Sequence, residues 1–527
     1  MKRVIVFIMT LIISLSLFAC KKEKVNVISR IATNEYGYNY LEVDGKPFNY
    51  FGVESRLDAY MNCEEQTVED FEKQFELAKK LGANVIAVPV DWADVEPEKD
   101  FYDFTIVNKL LSFAVKYDIK IEILWYSINM CGESNSYQVP AYIFNDEESY
   151  PKYDSTNKGN FWSYYGYQGY LKITDNLLKR ETLVIENLMD FIYNWDLKNG
   201  ETHPLIGVQV YNEPDLYPEW RVSKYDISEN GKKLTSDQVW QEVKKALDNA
   251  GKAFKKAKYN VITRVNFAKL KTATTYAKDV FNLDGIDCVG NDPYTTSVGG
   301  VYNQLTDFNK DLPNNFTHYA ENKGSYTNTA SLLLTSAYCG AGYIIYDLAT
   351  STHFIENAGN NSLADIDHGV LNPDGTDKEH TESVRRTLKA LIGAGESVIV
   401  ADKKDFAVFN LEESYPEESY QVVINTKGVT ANFSTEKSAV GFMIVYGDYA
   451  YFYASDESTF TISNATINEF SFGAYKKGVW TNSTGTIDAV VKDGKTTFTL
   501  NNGALLRAKV SEVKGELISN TKNFIGA

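Results

Sequence analysis

Eight apolar segments alternate with helical or loop segments between Leu41 and Gly395, and this alternation constrains the fold more than any other feature. Most of these segments are apolar almost throughout, which is typical of parallel strands buried on both faces. They cover residues 48–55, 84–90, 119–125, 205–211, 260–267, 285–294, 316–322 and 341–349. Because parallel strands need long crossover connections, these eight units predict a (β/α)8 TIM barrel, which we place at residues 41–396.

The connections between these strand segments contain helical patterns, at 67–83, 105–117, 181–195, 236–257 and 381–395. In the first pattern, apolar residues recur at helical spacing. They are Phe71, Phe75, Ala78 and Leu81. Thr67 and Asp70 resemble a capping box at the start of this helix. A long Tyr-rich loop is expected over roughly 130–178.

The pattern changes after residue 396. Runs such as FAVFNL, QVVINT and TTFTL alternate apolar and polar residues, as strands with one buried face do. The turn signals KDGK (492–495) and NNG (501–503) separate some of these runs. We therefore predict an all-β, sandwich-like accessory domain at residues 397–527.

The first 20 residues resemble a lipoprotein signal peptide. Lys2 and Arg3 precede an apolar core at 4–18, which is shorter than the about 20 residues that a transmembrane helix needs. The sequence LFAC (17–20) resembles a bacterial lipobox, which would make Cys20 the lipidated first residue. The alternative is an ordinary secretory signal with a chance Cys. We expect residues 21–40 to be a tether and lead-in, and the protein to be anchored in the bacterial cell envelope, periplasmic or surface-exposed.

Composition and motifs exclude several partners. The formal net charge of −17 argues against nucleic acid and against anionic lipid, so we expect membrane contact only through the lipid anchor. The sequence has no zinc-type Cys/His spacing, phosphate loop or dinucleotide fingerprint, and we predict no metal or cofactor. Four further cysteines permit either disulfides or free thiols. They are Cys63, Cys131, Cys288 and Cys339.

Two glutamates lie at the ends of predicted strands. Asn212-Glu213-Pro214 ends the fourth strand, and Glu321 ends the seventh, in NNFTHYAEN. Strand ends of this kind carry the chemistry of TIM barrels, and glycoside hydrolysis needs two carboxylates. A strand-ending turn is the simpler explanation of the first motif taken alone. We predict Glu213 as acid/base, Glu321 as nucleophile about 5–5.5 Å away, and Asn212 as a ligand of the sugar 2-hydroxyl.

These motifs resemble the clan A glycoside hydrolases over roughly residues 45–395. VYNEP on strand four and YAEN on strand seven match the clan's acid/base and nucleophile positions, which implies these roles for Glu213 and Glu321. A phrase within 82–104 is similar to the family 35 and family 42 β-galactosidases and to family 5. It consists of Trp92, Glu96, Pro97, Asp103 and Phe104. Family 5 members usually carry a His on a strand between the two glutamates, whereas VITRVNF and NDPY contain none.

Aromatic residues near the strand ends are candidate sugar ligands. The resemblance implies that Tyr294, on strand six, donates its phenol to the nucleophile, although rim packing is the alternative. It also implies an aromatic floor at the end of strand eight, where Tyr346 precedes Asp347. Trp92 and Trp125 end strands two and three and could stack on sugars or pack in the core.

Two other positions complete the set of candidate ligands. Glu54 and Arg56 end the first strand, where they could bind sugar hydroxyls or form a surface salt bridge. Trp220 follows the acid/base and is a candidate platform for the leaving-group sugar.

The leading hypothesis is a retaining β-glycoside hydrolase acting on an oligo- or polysaccharide, with β-galactosides among the candidates. The alternative is a non-catalytic glycan-binding lipoprotein on a degenerate barrel. A purely structural envelope protein would explain neither carboxylate. The sequence leaves the sugar, the linkage, exo or endo action and the oligomeric state open.

Overall fold

A computed structural model of the protein describes most of the chain. The described residues are 26–128, 138–156, 169–268, 270–357, 366–411, 420–435, 438–501, 503–514 and 523–525. The backbone alone is described at residues 224, 270–274, 318–321, 411, 420–421 and 525. The predicted signal peptide with Cys20 lies outside the described residues, as do Cys131 and parts of the Tyr-rich loop.

Eight parallel strands close into a barrel, which confirms the predicted fold. Strands β1 to β8 are Phe51–Glu54, Val85–Asp91, Lys120–Tyr126, Leu205–Val210, Ile262–Val265, Cys288–Asn291, His318–Lys323 and Gly342–Tyr346. They follow one another around the barrel in chain order, and β8 pairs with β1. Strands β5 and β6 are shorter than predicted at both ends, and the polar residues that directly follow them, Asn266 and Asp292, bond to each other at the barrel mouth.

The crossover connections contain the helices of the barrel. Helices α1 to α8 are Glu72–Leu81, Thr105–Tyr117, Asp175–Lys198, Ser236–Lys255, Leu270–Phe281, Val298–Asp311, Thr329–Tyr338 and Thr381–Gly393. Shorter helices lie at Leu57–Cys63, Trp92–Val95, Ala141–Asn145, Tyr217–Glu219, Thr352–Glu356 and Ser397–Val400, with single turns at Pro214–Leu216, Trp220–Lys224 and Lys403–Asp405. Short strands pair Lys152–Tyr153 with Tyr170–Leu171 and Ser228–Glu229 with Lys232–Lys233.

Two helices begin at residues other than those predicted. Asp70 N–H donates to Thr67 Oγ1 at 3.3 Å and Thr67 N–H donates to Asp70 Oδ2 at 2.9 Å, as in a capping box, yet α1 begins only at Glu72. Helix α3 begins at Asp175 rather than at 181. Thr174 provides its N-cap, because the Thr174 hydroxyl accepts a hydrogen bond from the backbone of the first turn.

A buried ion pair cross-links the inner wall of the barrel. Arg264 on β5 donates from Nε to Glu122 Oε1 at 2.6 Å and from Nη2 to Glu122 Oε2 at 3.0 Å. Tyr50 O–H also donates to the Glu122 carboxylate. Burial alone would lower the pKa of Arg264, but the Glu122 charge raises it above its usual value.

An N-terminal hairpin covers the end of the barrel where the strands begin. It pairs Ser29–Thr33 with Asn39–Val43, and Lys46–Pro47 adds a short third strand. The Ser29 hydroxyl donates to Ile206 O at 2.6 Å, at the start of β4. Residues 26–27 pair in parallel with the segment just before β5. The predicted tether and lead-in is therefore part of the fold from residue 26 onward.

After the barrel, the described chain forms two sheets that pack as a sandwich, as predicted. Strands β9 to β20 are Phe406–Leu411, Tyr420–Thr426, Val429–Thr435, Ala439–Tyr446, Tyr449–Ala454, Ser458–Ser463, Ala465–Lys476, Val479–Asn482, Val490–Lys492, Lys495–Leu500, Leu506–Val513 and Phe524–Ile525. One sheet has the order β16-β15-β19-β13-β12-β9-β20 and the other β10-β11-β14-β18-β17. Pairing is antiparallel except between β9 and β20. Phe409 and Phe433, with ring centroids 3.9 Å apart, join the two sheets.

The predicted KDGK turn closes the β17–β18 hairpin. Asp493 and Gly494 have φ values of 51° and 74°, the left-handed pair that a two-residue hairpin turn requires. The predicted NNG turn contains Asn502, which lies outside the described residues.

Helix α8 connects the barrel to the sandwich. Thr387 Oγ1 and the Tyr453 hydroxyl share a hydrogen bond at 2.9 Å, and Arg386 Nη1 donates to Ser455 O at 3.0 Å. Apolar residues of α8 belong to one continuous core with the barrel helices and with the sheet that contains β9.

The described cysteines form no disulfide. Cys63, Cys288 and Cys339 are free thiols, and the last two are buried. Burial raises the pKa of Cys339 to about 12. Within the described ranges, no helix is both long enough and apolar enough to cross a membrane.

We expect loss of either charge of the barrel ion pair to destabilise the protein strongly. Arg264→Met leaves the Glu122 carboxylate buried without its cation, so the free energy of unfolding should fall by about 3–5 kcal/mol. Glu122→Leu should cost a similar amount, and the double variant should recover most of the loss. Urea unfolding followed by circular dichroism measures these changes.

The matched control for that experiment is Glu76→Gln, which breaks the exposed Lys73–Glu76 pair. It should cost less than about 1 kcal/mol, because solvent screens exposed charges. A single barrel variant as stable as this control would contradict the proposed importance of the buried pair.

Candidate active site

The turn after β4 carries Asn212 and Glu213 at the end of the barrel where the strands finish. Tyr211 and Glu213 have φ values of 60° and 44°, in the left-handed region that residues with a side chain rarely adopt. Asn212 is 7% exposed and Glu213 is 8% exposed. Strained backbone of this kind persists only where neighbouring contacts hold it, and it is common at functional sites.

Asn266, directly beyond β5, holds this turn. Its Oδ1 accepts from Glu213 N–H at 3.1 Å, and its Nδ2 donates to Asn212 Oδ1 at 2.8 Å and to Asp292 Oδ2 at 2.7 Å. Gln209 Nε2 is a second donor to Asn212 Oδ1, at 2.9 Å. With two donors on its oxygen, the Asn212 amide must turn its Nδ2 away from both. One hydrogen-bonded layer therefore joins the ends of β4, β5 and β6.

Glu181 of α3 fixes the other side of the turn. Tyr211 O–H donates to Glu181 Oε2 at 2.8 Å, and Trp125 Nε1 donates to Glu181 Oε1 at 3.1 Å. Ser127 O–H donates to the same carboxylate. Burial raises the pKa of Glu181, and the three donors oppose that rise. This clamp ties α3 to the ends of β3 and β4 and holds the residue that precedes Asn212.

Glu321 lies on an irregular part of β7. The register between β7 and β8 shifts between Tyr319 and Asn322, so that Ala320 and Glu321 oppose a single residue of β8. Such bulges occur next to active sites, where they redirect a side chain. The side chain of Glu321 lies outside the described part of the structure, so its separation from Glu213 stays a prediction.

Aromatic side chains line the mouth between β6 and β8. Tyr294, beyond β6, and Tyr346, the last residue of β8, contact each other edge to face with ring centroids 6.3 Å apart. The His368 ring also contacts Tyr346, with centroids 5.1 Å apart. The structure thus brings the two predicted tyrosines together. The predicted contact of Tyr294 with Glu321 involves an undescribed side chain.

Asp347 follows Tyr346 and is almost fully buried, at 1% exposure. Thr350 Oγ1 donates to its Oδ1 at 3.0 Å. Burial raises the pKa of Asp347 to about 7, and the nearby Asp367 adds to the rise, whereas Thr350 and Arg56 oppose it. Asp347 is therefore a titratable carboxyl group close to the mouth.

The sequence motif that begins at Trp92 forms a structural clamp around Glu96. The buried Glu96 carboxylate accepts from Trp92 Nε1 at 3.0 Å and from Tyr142 O–H at 2.6 Å. It also pairs with Arg180 of α3, which bonds to Asp100 Oδ1 at 2.7 Å. Trp92 is fully buried, so it occupies the core position that the sequence left as an alternative to sugar stacking.

Two other predicted ligands have structural partners. Trp125 is fully buried and contacts Phe254 of α4 edge to face, with centroids 6.0 Å apart, which is also core packing. Arg56 pairs with Asp58, with Nη2 and Oδ2 2.6 Å apart, and its guanidinium lies 5.5 Å from the Phe354 ring centroid. Arg56 thus forms a salt bridge, but with the buried Asp58 rather than at the surface, as the alternative had placed it.

The remaining predicted ligands stay close to the strand ends. Glu54 ends β1 and is 1% exposed. Trp220 is half-buried in the helical turn just beyond Glu213 and packs against the barrel's outer core. In the described part of the chain, no group of three or more His, Cys, Asp or Glu could hold a metal ion.

Sequence reasoning missed three residues that organise the site: Asn266, Asp292 and Glu181. The first two directly follow β5 and β6, at strand ends where a family 5 His was sought and not found. Their position after apolar strands was the signal available. Glu181 lies within a helix, and only packing shows its role.

One protein family matches part of the chain. A family described as "Domain of unknown function (DUF4978)" matches residues 242–416, less than half of the chain. No curated protein matches the sequence.

Three solved structures resemble the chain at low identity. An exo-beta-1,4-mannosidase from Opitutaceae bacterium strain TAV5 is 12% identical, with a TM-score of 0.47 over 68% of this chain and 62% of that one. A glycoside hydrolase family 30 subfamily 8 xylanase from Clostridium acetobutylicum is 10% identical, with 0.44 over 92% and 98%. A beta-galactosidase from Marinomonas ef1 is 10% identical, with 0.45 over 67% and 61%. This chain therefore spans less than two thirds of the mannosidase and of the galactosidase. The assignment of the barrel fold is based on the strand order of this chain.

We expect Asp347 to make stability depend on pH. Because burial raises its pKa from 3.8 to about 7, the folded protein retains a proton that the unfolded chain releases between these values. The stabilisation is complete below about pH 4 and is lost as the pH rises through about 7. Relative to Asp347→Asn, the wild-type free energy of unfolding should fall by up to about 4 kcal/mol from about pH 4 to pH 8.

Urea unfolding of both proteins at several pH values measures this difference. Asp307→Asn, which changes an exposed carboxylate on α6, serves as the control and should follow the wild-type profile. Parallel profiles for wild type and Asp347→Asn would contradict the prediction.

Proposed function

We propose that this protein is a retaining β-glycoside hydrolase in which Glu213 is the acid/base and Glu321 is the nucleophile. The turn after β4 carries this proposal. There, Glu213 has a left-handed backbone and its N–H is bound by Asn266. Asn212 beside it is almost buried, and two donors set the orientation of its amide. Strained backbone held by buried hydrogen bonds is common at functional sites.

The configuration at the anomeric carbon C1 is retained because the reaction consists of two successive displacements at that carbon. In the first, protonated Glu213 gives its proton to the glycosidic oxygen as the C1–O bond breaks, and the Glu321 carboxylate forms a bond to C1. In the second, the Glu213 carboxylate removes a proton from water, whose oxygen attacks C1 and releases Glu321. One glycosidic bond is hydrolysed, and both glutamates return to their starting protonation states.

Other features of the mouth suit a sugar. The Asn212 amino group would donate to the 2-hydroxyl, a contact that strengthens in the transition state. Tyr294 and Tyr346 present aromatic surface on which the apolar face of a sugar ring can pack. The bulge at Glu321 supports its assignment, since a bulge can turn a side chain out of the regular pleat. We propose an oligo- or polysaccharide substrate, with β-galactosides among the candidates.

Glu213 variants test the acid/base role. The wild-type protein should cleave at least one member of a panel of nitrophenyl β-glycosides and polysaccharides. Glu213→Ala should slow substrates with poor leaving groups by about 10²–10⁴-fold and activated aryl glycosides far less, because only the former need the proton. Azide should restore the rate on aryl glycosides. Glu219→Gln, an exposed change in the same segment, is the control and should behave as wild type.

Glu321 variants test the nucleophile. Glu321→Ala should lose activity on both kinds of substrate, and a 2-fluoro glycoside should label wild-type protein at Glu321. Labelling at another residue, or an inverted azide product from Glu213→Ala, would reverse or refute the two roles. A wild-type protein that binds glycans but cleaves none of the panel would favour the non-catalytic alternative.

We also propose that Cys20 carries a lipid that anchors the protein to the bacterial envelope. The proposal rests on the apolar core and the LFAC motif at the start of the chain. Cys20→Ser should leave the signal uncleaved or release the protein from the membrane fraction, as fractionation and intact mass would show. Unchanged fractionation together with unchanged mass would refute the anchor.

A further inference from the structure

We propose that Asp292 and Asn266 form a relay that sets the direction of the Asn212 amide, so that the site accepts sugars whose C2 substituent can accept a hydrogen bond. Asn266 and Asp292 are positioning residues in this proposal, because they act through Asn212. The proposal rests on the proposed function, since it concerns the sugar that lies against Glu213.

The relay begins at Asp292, directly after β6. Asp292 is 1% exposed, and its carboxylate in the ionised form offers only acceptors. Asn266 Nδ2 donates to Asp292 Oδ2 at 2.7 Å. If the Asn266 amide were flipped, its oxygen would face this carboxylate and its amino group would face the Glu213 N–H. Both ends would then oppose like groups, so Asp292 and Glu213 together select one orientation.

The relay then passes from Asn266 to Asn212. Asn266 is fully buried and uses both amide hydrogens and its oxygen in the three hydrogen bonds described above. Its second hydrogen goes to Asn212 Oδ1 at 2.8 Å, and Gln209 supplies another donor to that oxygen. The Asn212 oxygen is thereby held inward. The Asn212 amino group, which is a hydrogen-bond donor, therefore points to the opposite side.

This polarity has a consequence for the substrate. A donor at Asn212 stabilises a hydroxyl at C2 and gains nothing from a sugar with hydrogen at C2. A buried polar group left without its partner also costs binding energy, which increases discrimination. The relay therefore favours glycosides whose C2 substituent can accept a hydrogen bond, such as a 2-hydroxyl, over 2-deoxy glycosides. Asn266 and Asp292 produce this preference by fixing the direction of the Asn212 amide.

The test compares two substrates of each variant: the aryl glycoside that wild type cleaves best and its 2-deoxy counterpart. The measured quantity is kcat/KM for the parent glycoside divided by kcat/KM for its 2-deoxy counterpart. Asn212→Ala should lower this ratio by about 10²-fold, and Asn266→Asp should lower it by a similar factor, because a carboxylate at position 266 cannot donate to Asn212. Combined, the two changes should lower it no further than either alone.

A charge-swapped variant separates positioning from structure. In Asn266→Asp with Asp292→Asn, the new amide can donate to the new carboxylate, so thermal stability should return towards wild type. The ratio should stay low, because the carboxylate at position 266 makes the Asn212 amide flip and present its oxygen. Recovery of the ratio in the swapped variant, or an unchanged ratio in Asn266→Asp, would overturn the relay.

Asn315→Ala is the matched control. Asn315 is also a buried Asn with three hydrogen bonds, two of them to the backbone of Val289, but it precedes β7 at the opposite end of the barrel. Its loss should lower stability and leave the ratio unchanged. If wild type cleaves no glycoside, the proposed function fails together with the relay. If wild type cleaves and only the ratio is insensitive, the relay alone fails.

Discussion

The bidentate pair between Arg264 and Glu122 is the interaction on which the barrel mouth depends. Side chains alternate along β5, so Arg264 and Asn266 both face the barrel interior, one layer apart. The pair fixes β5 against β3. Because Asn266 directly continues β5, the position of Arg264 along the barrel axis also sets the position and direction of the Asn266 side chain. A displacement of about 1 Å would stretch the Asn266 contacts with Glu213 beyond hydrogen-bond distance.

Above this pair, the groups in direct contact with the Asn212–Glu213 turn are amides, and the carboxylates of Asp292 and Glu181 act one contact further away. Asn266 binds the Glu213 backbone and the Asn212 oxygen, and Thr350 donates to Asp347. The Arg264 charge is directed to Glu122 in the layer below. A cation beside an acid catalyst would favour its ionised form and oppose proton donation. Amide contacts fix the position of the turn without adding such a charge.

The features that follow from periodicity could be predicted from the sequence, and those that follow from neighbours could not. Apolar runs predicted all eight strands, and the strand-four motif located Asn212 and Glu213. Asn266 bonds to partners 54 and 26 residues away in the chain, so no local pattern marks it. Trp125 stayed ambiguous because a strand-end side chain faces inward or outward according to the pleat. It lies between the inward-facing Leu124 and Tyr126, and so it faces the helices.

Helix α3 explains why the motif that begins at Trp92 accompanies the strand-four motif, although Trp92 and Glu96 are buried in the core. Two consecutive residues of α3 reach different parts of the barrel. Arg180 pairs with Glu96, which Trp92 also contacts, while Glu181 binds Tyr211 just before Asn212. The motif that begins at Trp92 therefore fixes the helix, and the helix fixes the strained turn. A motif can thus accompany the candidate site through structural support, because the geometry of Glu213 is determined from outside the barrel as well as from within it.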